Sequence, residues 1–411
     1  MPRVPKVILL VESSRASGRA LLRGIVDYSR HHGPWSFSWE PAGLEKVQPL
    51  LETGDADGII LRDVKEAEEI MAYGLPAVVV GHRKTEIPGM VNVVTDSEGI
   101  GRMGAEHLID CGFKHFAFCG YEQTALERAT WSEIRKKSFC RRVREAGFGD
   151  APQFVLSSDS KDWTREWRML AHWLDSQPKP LGLMACNDDC GQRVMEVCRL
   201  TGLMVPDLVG IIAADNDEVV CGLTDPPMSS IAINFERAGY EAASALDGLM
   251  RQSRVVPSRI MAAALHVVAR RSTDFVAAED SRLAKALRFI RDRARGGVSV
   301  DVVARASGLS RRPLEKRFRN TLGRSVLDEI RRVRTDQIAQ LLVETDLPVA
   351  QIAELLGFAD MQHVARYFRA AKQVTPLAYR KARGSPGRLR WCSQNGDTIP
   401  QSGVVAVCQQ S

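Results

Sequence analysis

The chain has 411 residues, of which 45% are hydrophobic and 26% charged, and its formal net charge is +6. This length is enough for two or three domains, and the composition is that of an ordinary soluble globular protein. The charge is unevenly distributed, because residues 281–390 hold 24 Lys and Arg against 10 Asp and Glu, whereas residues 1–280 hold 32 against 39. The basic C-terminal quarter predicts a polyanionic partner for that part of the chain.

Cysteine use and hydropathy argue against a disulfide-stabilised protein, a zinc protein and a membrane or secreted protein. The nine cysteines form no C-x-x-C pair and are scattered at 111, 119, 140, 186, 190, 198, 221, 392 and 408. This pattern suits reduced, buried thiols rather than a disulfide framework, and no His lies near Cys186 or Cys190 to complete a zinc set. No apolar run approaches the ~20 residues of a membrane helix, and Val7–Val11 is too short for a signal peptide. We therefore expect a cytoplasmic protein without a metal or cofactor.

Residues 6–250 alternate short apolar runs with amphipathic segments. Lys6–Val11, Gly58–Leu61 and Leu181–Ala185 are typical of buried strands, and helical segments such as Trp131–Ala146 lie between such runs. This alternation predicts an α/β domain with parallel sheets.

In such sheets, ligands bind beyond the carboxyl ends of the strands. The polar residues at those positions are Ser13, Ser14, Arg15, Arg62, Asp63, His82, Glu122, Asn187, Asp188, Asp215 and Asn216. A crevice with carboxylates, amides and guanidinium groups suits a neutral polyol, which both donates and accepts hydrogen bonds. Each of these residues taken alone is more often a helix cap or a turn former than a ligand contact.

Gly99, Gly101 and Gly104 form the G-x-G-x-x-G pattern of nucleotide-binding sites, with Glu122 further along the chain. Several polar residues separate the preceding strand from Gly99, however, and the glycines fall within an amphipathic helix. We therefore expect these small residues to let the helix lie close to the sheet.

Two segments near the C-terminus share one plan: a short helix, a glycine turn and a basic helix. In the first, Ser299–Ser307 precedes Gly308, and the helix Ser310–Thr321 has an apolar pair at Leu314 and Phe318. The plan predicts a helix-turn-helix whose second helix carries positive charge on its outer face.

The second segment repeats this plan, with Pro348–Leu356, a turn at Gly357 and the helix Asp360–Arg369. Between the two segments, Ser325–Thr345 contains no Gly or Pro and predicts one helix of about 20 residues, roughly 30 Å long. That length is close to the ~34 Å between successive major-groove faces of B-DNA, so two readers on one chain could contact adjacent grooves.

The domain organisation follows from these patterns. We predict a sensor domain over residues 1–270, a linker over 271–280, a DNA-binding domain over 281–384 and a disordered tail over 385–411, which is rich in Gly, Ser, Gln and Pro.

Several motifs resemble those of two known families. Ala185–Asp188 and Asp225–Ile231 are similar to the effector-binding core of the lac-repressor family, itself similar to periplasmic sugar-binding proteins. Residues 299–383, with Leu314–Phe318 and Ile352–Phe358, resemble the AraC-type DNA-binding domain. The pairing is similar to regulators of the xylose-operon type. It implies a two-lobed α/β sensor of periplasmic-binding-protein type followed by an all-α domain with two helix-turn-helix motifs.

The AraC-type resemblance implies which side chains contact DNA. The base-reading residues would be Arg312, Glu315, Lys316, Gln362, His363 and Arg366. Their chemistry agrees, since Arg and Lys donate to guanine, Gln pairs with adenine and Glu accepts from cytosine. Arg311, Arg319 and Arg324 are expected to bind phosphates.

The lac-repressor resemblance implies Asn187 and Asp215 as sugar ligands. Glu133 stands where that family often has an arginine, and this departure affects which sugar is bound. The full set of effector-binding candidates is Arg15, Asp63, Glu133, Asn187, Asp188 and Asp215.

The resemblance also implies a function, that of a transcription activator of sugar catabolism genes whose effector is a pentose, with D-xylose expected. Sugar binding would close the lobes and change the placement of the two DNA-binding domains of a homodimer on double-stranded DNA, with RNA polymerase as a possible further partner. Two alternatives remain: the same architecture with another small effector, such as a purine, and a nucleotide-dependent sugar-modifying enzyme. We expect no catalytic residues and no membrane contact.

Overall fold

A computed structural model gives the structure of this protein. The residues described are 3–40, 48–62, 73–81, 86–87, 89–122, 130–157, 163–253, 256–275 and 280–384. Asp63, His82 and the predicted tail 385–411 lie outside these residues.

Twelve strands and fifteen α-helices form within the described residues. The strands are β1 Lys6–Leu10, β2 Ser36–Trp39, β3 Gly58–Arg62, β4 Ala77–Val80, β5 Val91–Thr95, β6 His115–Tyr121, β7 Gln153–Leu156, β8 Leu181–Ala185, β9 Val209–Asp215, β10 Ser229–Ile233, β11 Arg259–Ala262 and β12 Ala264–Val268. The helices are α1 Ala16–His32, α2 Gln48–Glu52, α3 Ser97–Asp110, α4 Thr130–Glu145, α5 Trp163–Ser176, α6 Asp188–Thr201, α7 Glu218–Gly222, α8 Phe235–Met250, α9 Ser281–Arg293, α10 Val300–Ser307, α11 Arg311–Leu322, α12 Val326–Glu344, α13 Val349–Leu355, α14 Met361–Lys372 and α15 Pro376–Arg383.

The strands form two six-stranded sheets, one in each lobe of an α/β sensor. Lobe 1 has the order β11-β5-β4-β3-β1-β2, with α1, α2 and α8; lobe 2 has the order β12-β10-β9-β8-β6-β7, with α3 to α7. Neighbouring strands run parallel except β12, which is antiparallel to β10. Strands such as β8 are buried along their whole length, because helices cover both faces of a parallel sheet.

The chain crosses between the lobes three times, at Asp96, Asn234 and Ala263. The crossings are hydrogen-bonded to one another: the Asn234 N–H donates to the Ala263 carbonyl at 2.9 Å, and the Asp96 N–H donates to the Ala262 carbonyl at 3.0 Å. These segments form the hinge of the sensor.

The glycines of α3 allow close packing, as the sequence predicted. A Cβ on Gly101 would lie 2.2 Å from the Arg135 carbonyl of α4, and one on Gly104 would lie 2.5 Å from the Met184 Sδ of β8. Both separations are too short for non-bonded heavy atoms. The G-x-G-x-x-G pattern is therefore accounted for by helix and sheet packing in lobe 2.

Helices α9 to α15 form the C-terminal domain, and its central prediction is confirmed. The helix predicted over Ser325–Thr345 is α12, with Ser325 as its N-cap and Thr345 as its C-cap. Two apolar clusters flank it, one around Leu314 and Phe318 and the other around Val364 and Phe368. Each cluster fixes one helix-turn-helix.

The first residues of the segment predicted as a linker, 271–280, pack on lobe 2. Residues 271–273 form a turn packed on lobe 2, where the Ser272 hydroxyl donates to the Ile211 carbonyl at 2.6 Å and accepts from the Ser229 N–H at 2.8 Å. Phe275 is buried and stacks on Phe113 with ring centroids 4.2 Å apart. Phe275 therefore packs with the residues of lobe 2.

Two further features concern membrane-spanning helices and the state of the cysteines. No described helix is long and apolar enough to cross a membrane. The seven cysteines within the described residues are free thiols, and all but Cys140 are buried.

Candidate effector site and nucleic-acid interface

The carboxyl ends of the two sheets face each other across the gap between the lobes. Arg15 of lobe 1 forms an ion pair with Asp189 of lobe 2, with Nη2 and Oδ1 3.0 Å apart. The Ala16 N–H, at the first turn of α1, donates to the Asp217 Oδ2 of lobe 2 at 2.7 Å. Residues beyond the strand ends of the two lobes therefore meet across one crevice.

Arg135 and Asp215 form the centre of the lobe 2 wall. The Arg135 side chain is 3% exposed, and its Nη2 lies 3.6 Å from the Asp215 Oδ1. The guanidinium donates to the Cys186 carbonyl and lies over the Trp131 ring, 4.7 Å from the centroid. Its Nε has no hydrogen-bond partner among the described residues, so a donor is left for a ligand.

Asp215 has two unusual properties for a residue at a strand end. Burial raises the pKa of its carboxyl to about 6, against the opposing charge of Arg135. Its φ of 107° lies in a region that non-glycine residues rarely adopt. Strained backbone and a perturbed carboxyl together are typical of functional sites.

Asn187 and Asp188 lie at the N-terminus of α6, where the structure uses them internally. The Asn187 Oδ1 caps the helix by accepting from the Cys190 N–H at 3.0 Å, which leaves its amide nitrogen as the available donor. Both carboxylate oxygens of Asp188 are occupied, one by the Ser230 hydroxyl and the other by the Asp217 N–H at 2.7 Å. Asp188 therefore holds the loop after β9 in place.

Glu133, a predicted effector contact, is paired instead with lysines of its own helix, Lys136 and Lys137. The arginine that lies against Asp215 is Arg135, two residues along α4. Helical phase explains the difference, because Ser132, Arg135 and Phe139 share the buried face of α4, whereas Glu133 is turned off it. This periodicity was the signal in the sequence, and it favours Arg135 over Glu133 as the crevice residue.

The lobe 1 wall contributes Arg62, at the end of β3, and Arg15. Arg62 donates to Glu12 at 2.9 Å and to the Ser17 hydroxyl at 3.1 Å, and its Nε has no partner within the described part of the chain. The positive charge of Arg62, across the crevice, opposes the burial that raises the pKa of Asp215. Sequence reasoning placed Arg62 at a strand end but did not identify Asp217, whose link to the opposite lobe depends on the folded arrangement.

In the first helix-turn-helix unit, α10 and α11, the predicted DNA contacts lie mostly on an open face. Arg311, Arg312 and Lys316 are exposed, while Leu314 and Phe318 are buried beneath them. Glu315 is half-buried, and its carboxylate accepts from the Val326 N–H at 3.4 Å, at the start of α12. Part of its capacity to accept from a base is therefore used within the protein.

The second unit, α13 and α14, presents the same pattern fifty residues later. Gln362, His363 and Arg366 are exposed above the buried Val364 and Phe368. The two second helices have the same sequence of exposed, half-buried and buried positions over residues 311–320 and 361–370. Arg312 and Lys316 thus correspond in position to Gln362 and Arg366.

Two basic residues near the first unit are engaged within the protein. Arg324 binds Asp110 of the sensor at 3.1 Å and Glu329 at 2.7 Å, and its side chain is only 18% exposed. Arg317 forms an ion pair with Asp280. Arg324, expected at a phosphate, lies instead at the junction between the two domains.

Known proteins resemble both parts of the chain. Residues 105–273 match the periplasmic binding protein-like domain family, and residues 303–382 match a helix-turn-helix domain family. The xylose operon regulatory protein of Escherichia coli K12 is 28% identical over 384 residues, which cover 91% of this chain and 96% of that protein. The multiple antibiotic resistance protein MarA of Salmonella typhimurium is 31% identical over 113 residues, 85% of its own length.

A solved structure described as the xylose-binding transcription activator xylR aligns with 93% of this chain and 100% of that chain, with a TM-score of 0.60 and 26% identity. The shared order of domains therefore spans nearly the whole molecule. The chain belongs to the AraC-type helix-turn-helix transcription regulators, in the arrangement of the xylose operon regulatory proteins, with a two-lobed periplasmic binding protein-like domain ahead of the DNA-binding domain.

Proposed function

We propose that the crevice between the lobes binds a neutral pentose, D-xylose in the first instance, and that the bound sugar changes the affinity of the C-terminal domain for its DNA site. The observation that carries this proposal is the buried pair of Arg135 and Asp215, which faces Arg62 across the crevice. A carboxylate, two guanidinium groups and an amide can together satisfy the hydroxyls of a small polyol.

The charges of the crevice favour a neutral ligand over a charged one. Arg15 pairs with Asp189, Arg62 with Glu12 and Arg135 with Asp215. A charged sugar derivative would have to displace one of these pairs, whereas hydroxyls can bridge them. The names of the similar regulators, which are xylose-responsive, support a pentose of this kind.

On the DNA side, we assign base reading to Arg312 and Lys316 in the first unit and to Gln362, His363 and Arg366 in the second, with Arg311 at a phosphate. The exposure of these side chains above two buried apolar seams supports the assignment. We give Glu315 a positioning role at the start of α12.

We further propose that the chain acts as a homodimeric activator that contacts RNA polymerase, with a sensor over residues 1–275, a linker over 276–280 and a DNA-binding domain over 281–384. The burial of Phe275 supports the sensor boundary. Sedimentation equilibrium of the full chain tests the dimer, and a single species of monomer mass at micromolar concentration would exclude it.

Calorimetry of the full chain against a panel of pentoses, hexoses and purines tests the effector. We expect saturable binding of D-xylose by the wild type. Arg135→Gln should lose at least about 100-fold in sugar affinity, in keeping with the loss of a buried charged hydrogen bond. The control Glu133→Gln should keep about the wild-type sugar affinity. Binding of a purine alone would identify a different effector. Equal losses in the two variants would contradict the site.

A further inference from the structure

The last helix of the DNA-binding domain ends on the hinge of the sensor. Two of the three crossings between the lobes, at Asn234 and Ala263, lie beside Lys381–Arg383 at the C-terminal end of α15. We call the contacts among Asn234, Arg237, Ala264, Leu265 and Lys381–Arg383 the hinge seat.

One half of the hinge seat belongs to lobe 1. Arg237, in the first turn of α8, donates from Nη1 to the carbonyls of Lys381 at 2.7 Å and Ala382 at 3.1 Å. The Asn234 side-chain amide, which also caps α8, donates to the Arg383 carbonyl. The last carbonyls of a helix lack partners within it and carry partial negative charge, so a guanidinium there is favourable.

The other half belongs to lobe 2. The Arg383 Nη1 donates to the carbonyls of Ala264 at 2.9 Å and Leu265 at 3.1 Å, both in β12. The Leu265 side chain joins the apolar cluster of the second helix-turn-helix unit, together with Ile338 and Leu342 of α12. The last residues of α15 thus bridge the two lobes.

The first helix-turn-helix unit is attached differently. Its described sensor contacts go to lobe 2, where Arg324 binds the side chain and carbonyl of Asp110 and a Cβ on Gly112 would lie 3.5 Å from the Leu322 Cδ2. A rotation of lobe 1 relative to lobe 2 therefore leaves these contacts intact. The same rotation must strain or break the hinge seat.

We propose that the hinge seat makes the second helix-turn-helix unit the one that responds to lobe arrangement, with Arg237 and Arg383 as positioning residues that transmit it. This inference rests on the proposed function, since the sugar is what would change the lobe arrangement. Rearrangement of the lobes alters the seat of α15 and thereby the placement of α14 relative to α11, while the first unit keeps its place on lobe 2.

The test compares the full-length wild type with Arg237→Gln, Arg383→Gln and the control Arg251→Gln. Arg251 lies just beyond the other end of α8, where its exposed side chain pairs with the buried Asp247 at 3.1 Å. DNA affinity is measured with and without D-xylose, and amide hydrogen exchange is followed over residues 376–383 and 300–307. Thermal unfolding by circular dichroism confirms that each variant is folded.

We expect the ratio of DNA affinities with and without sugar to be the same in the wild type and in Arg251→Gln. In each of the two seat variants this ratio should fall by at least about fivefold, which is the lower end of ordinary coupling between sites. Their sugar affinity stays near the wild-type value, which a general loss of structure would not allow. An unchanged ratio in both folded seat variants overturns the inference and leaves the proposed function standing.

A second comparison needs no sugar. Asp217→Asn weakens the bond between Asp217 and the N-terminus of α1 in the crevice, a contact that includes no residue of the hinge seat. We expect faster exchange at 376–383 and unchanged exchange at 300–307. If no sugar affects wild-type DNA binding, the proposed effector fails, and this comparison alone decides the inference: exchange at 376–383 equal to the wild type overturns it.

Discussion

The two helix-turn-helix units have the same reading face but different attachments. Each has an exposed basic second helix over a buried pair, Leu314 and Phe318 in one and Val364 and Phe368 in the other. The residues that follow each unit are not alike. Two units with the same pattern of exposed and buried positions in their second helices are thus attached to the sensor in two ways.

The first unit is followed by a buried ionic cluster. The Glu329 side chain is 1% exposed and binds Arg332 and Arg324, each at 2.7 Å, while Arg324 continues to Asp110 of lobe 2. Burial by itself would raise the pKa of Glu329, but the hydrogen bond and charge of Arg332, with the charge of Arg324, lower it to about 2.

Around the second unit, arginines bind backbone carbonyls and an aromatic ring, and Lys372 of α14 pairs with Asp336 of α12 at 3.1 Å. Arg380 donates to the carbonyls of Leu342 at 3.1 Å and Leu347 at 2.5 Å, and Arg334 lies over the Phe358 ring at 3.9 Å. The hinge seat adds further contacts to this unit. A buried carboxylate with two arginines therefore follows the first unit, whereas arginines on backbone carbonyls follow the second.

The largest expected effects come from the apolar pairs that the units share. Phe318→Ala and Phe368→Ala each remove a side chain that is fully buried, which costs about 3–5 kcal/mol of unfolding free energy. Urea denaturation followed by circular dichroism measures the loss. Both variants should lose specific DNA binding while keeping wild-type sugar affinity, and loss of sugar binding in either would show that the domains do not fold separately.

Glu329→Gln tests the buried ionic cluster that follows the first helix-turn-helix unit. Breaking a buried ion pair by removing one partner costs about 3–5 kcal/mol, and the corresponding position of the second unit is Tyr379, which has no such charge. Because the pKa is lowered from its usual 4.5, the stabilisation is fully present above that pH and is lost as the pH falls toward about 2. Denaturation at pH 7 and pH 3 measures it. If the unfolding free energy changes between pH 7 and pH 3 by the same amount in the wild type and in Glu329→Gln, the assignment of this pH dependence to Glu329 is contradicted.

A smaller effect is expected at the reading faces. Arg366→Ala and Lys316→Ala, at corresponding positions, should each cost about 1–3 kcal/mol at a specific site and relax base preference there. Fluorescence anisotropy at fixed salt on a specific and a random duplex measures both losses. Equal losses on the two duplexes would make that residue a phosphate contact.

The smallest effect separates the caps that follow each unit. Ser325 and Asp328 form a reciprocal capping box at α12, whereas Thr375 makes one bond, to the Ala378 N–H at 3.2 Å. Ser325→Ala should cost about 1 kcal/mol and Thr375→Ala about half of that. Thermal unfolding measures the loss of stability in each variant. A larger loss for Thr375→Ala than for Ser325→Ala would contradict this comparison of the two caps.

Local pattern was sufficient for the elements of this molecule. Helix α12 matches its predicted bounds because Ser325 is an N-cap type and nothing within the segment breaks a helix. The glycines of α3 were correctly assigned to packing, since their place inside an amphipathic helix excludes the tight turn that a phosphate needs. These conclusions depend on residues close together in sequence.

Local pattern does not fix the place of side chains whose position depends on contacts with distant residues. The side chain at the crevice is Arg135 rather than Glu133, because the buried face of α4 is set by packing against α3 and β6. Arg324 has the charge of a phosphate contact but lies beside Asp110, 214 residues earlier. The link from Asp217 to α1 and the hinge seat exist only once the lobes and domains have assembled, so no local pattern marks them.

The central claim is that occupancy of the crevice controls DNA binding. The most direct test isolates DNA fragments retained by the full chain from a random library and measures their affinity by anisotropy at constant salt, with and without saturating D-xylose. We predict a change of at least about fivefold on the selected fragments and none on unselected DNA. Equal affinity on selected fragments, with D-xylose bound by calorimetry, would contradict the account.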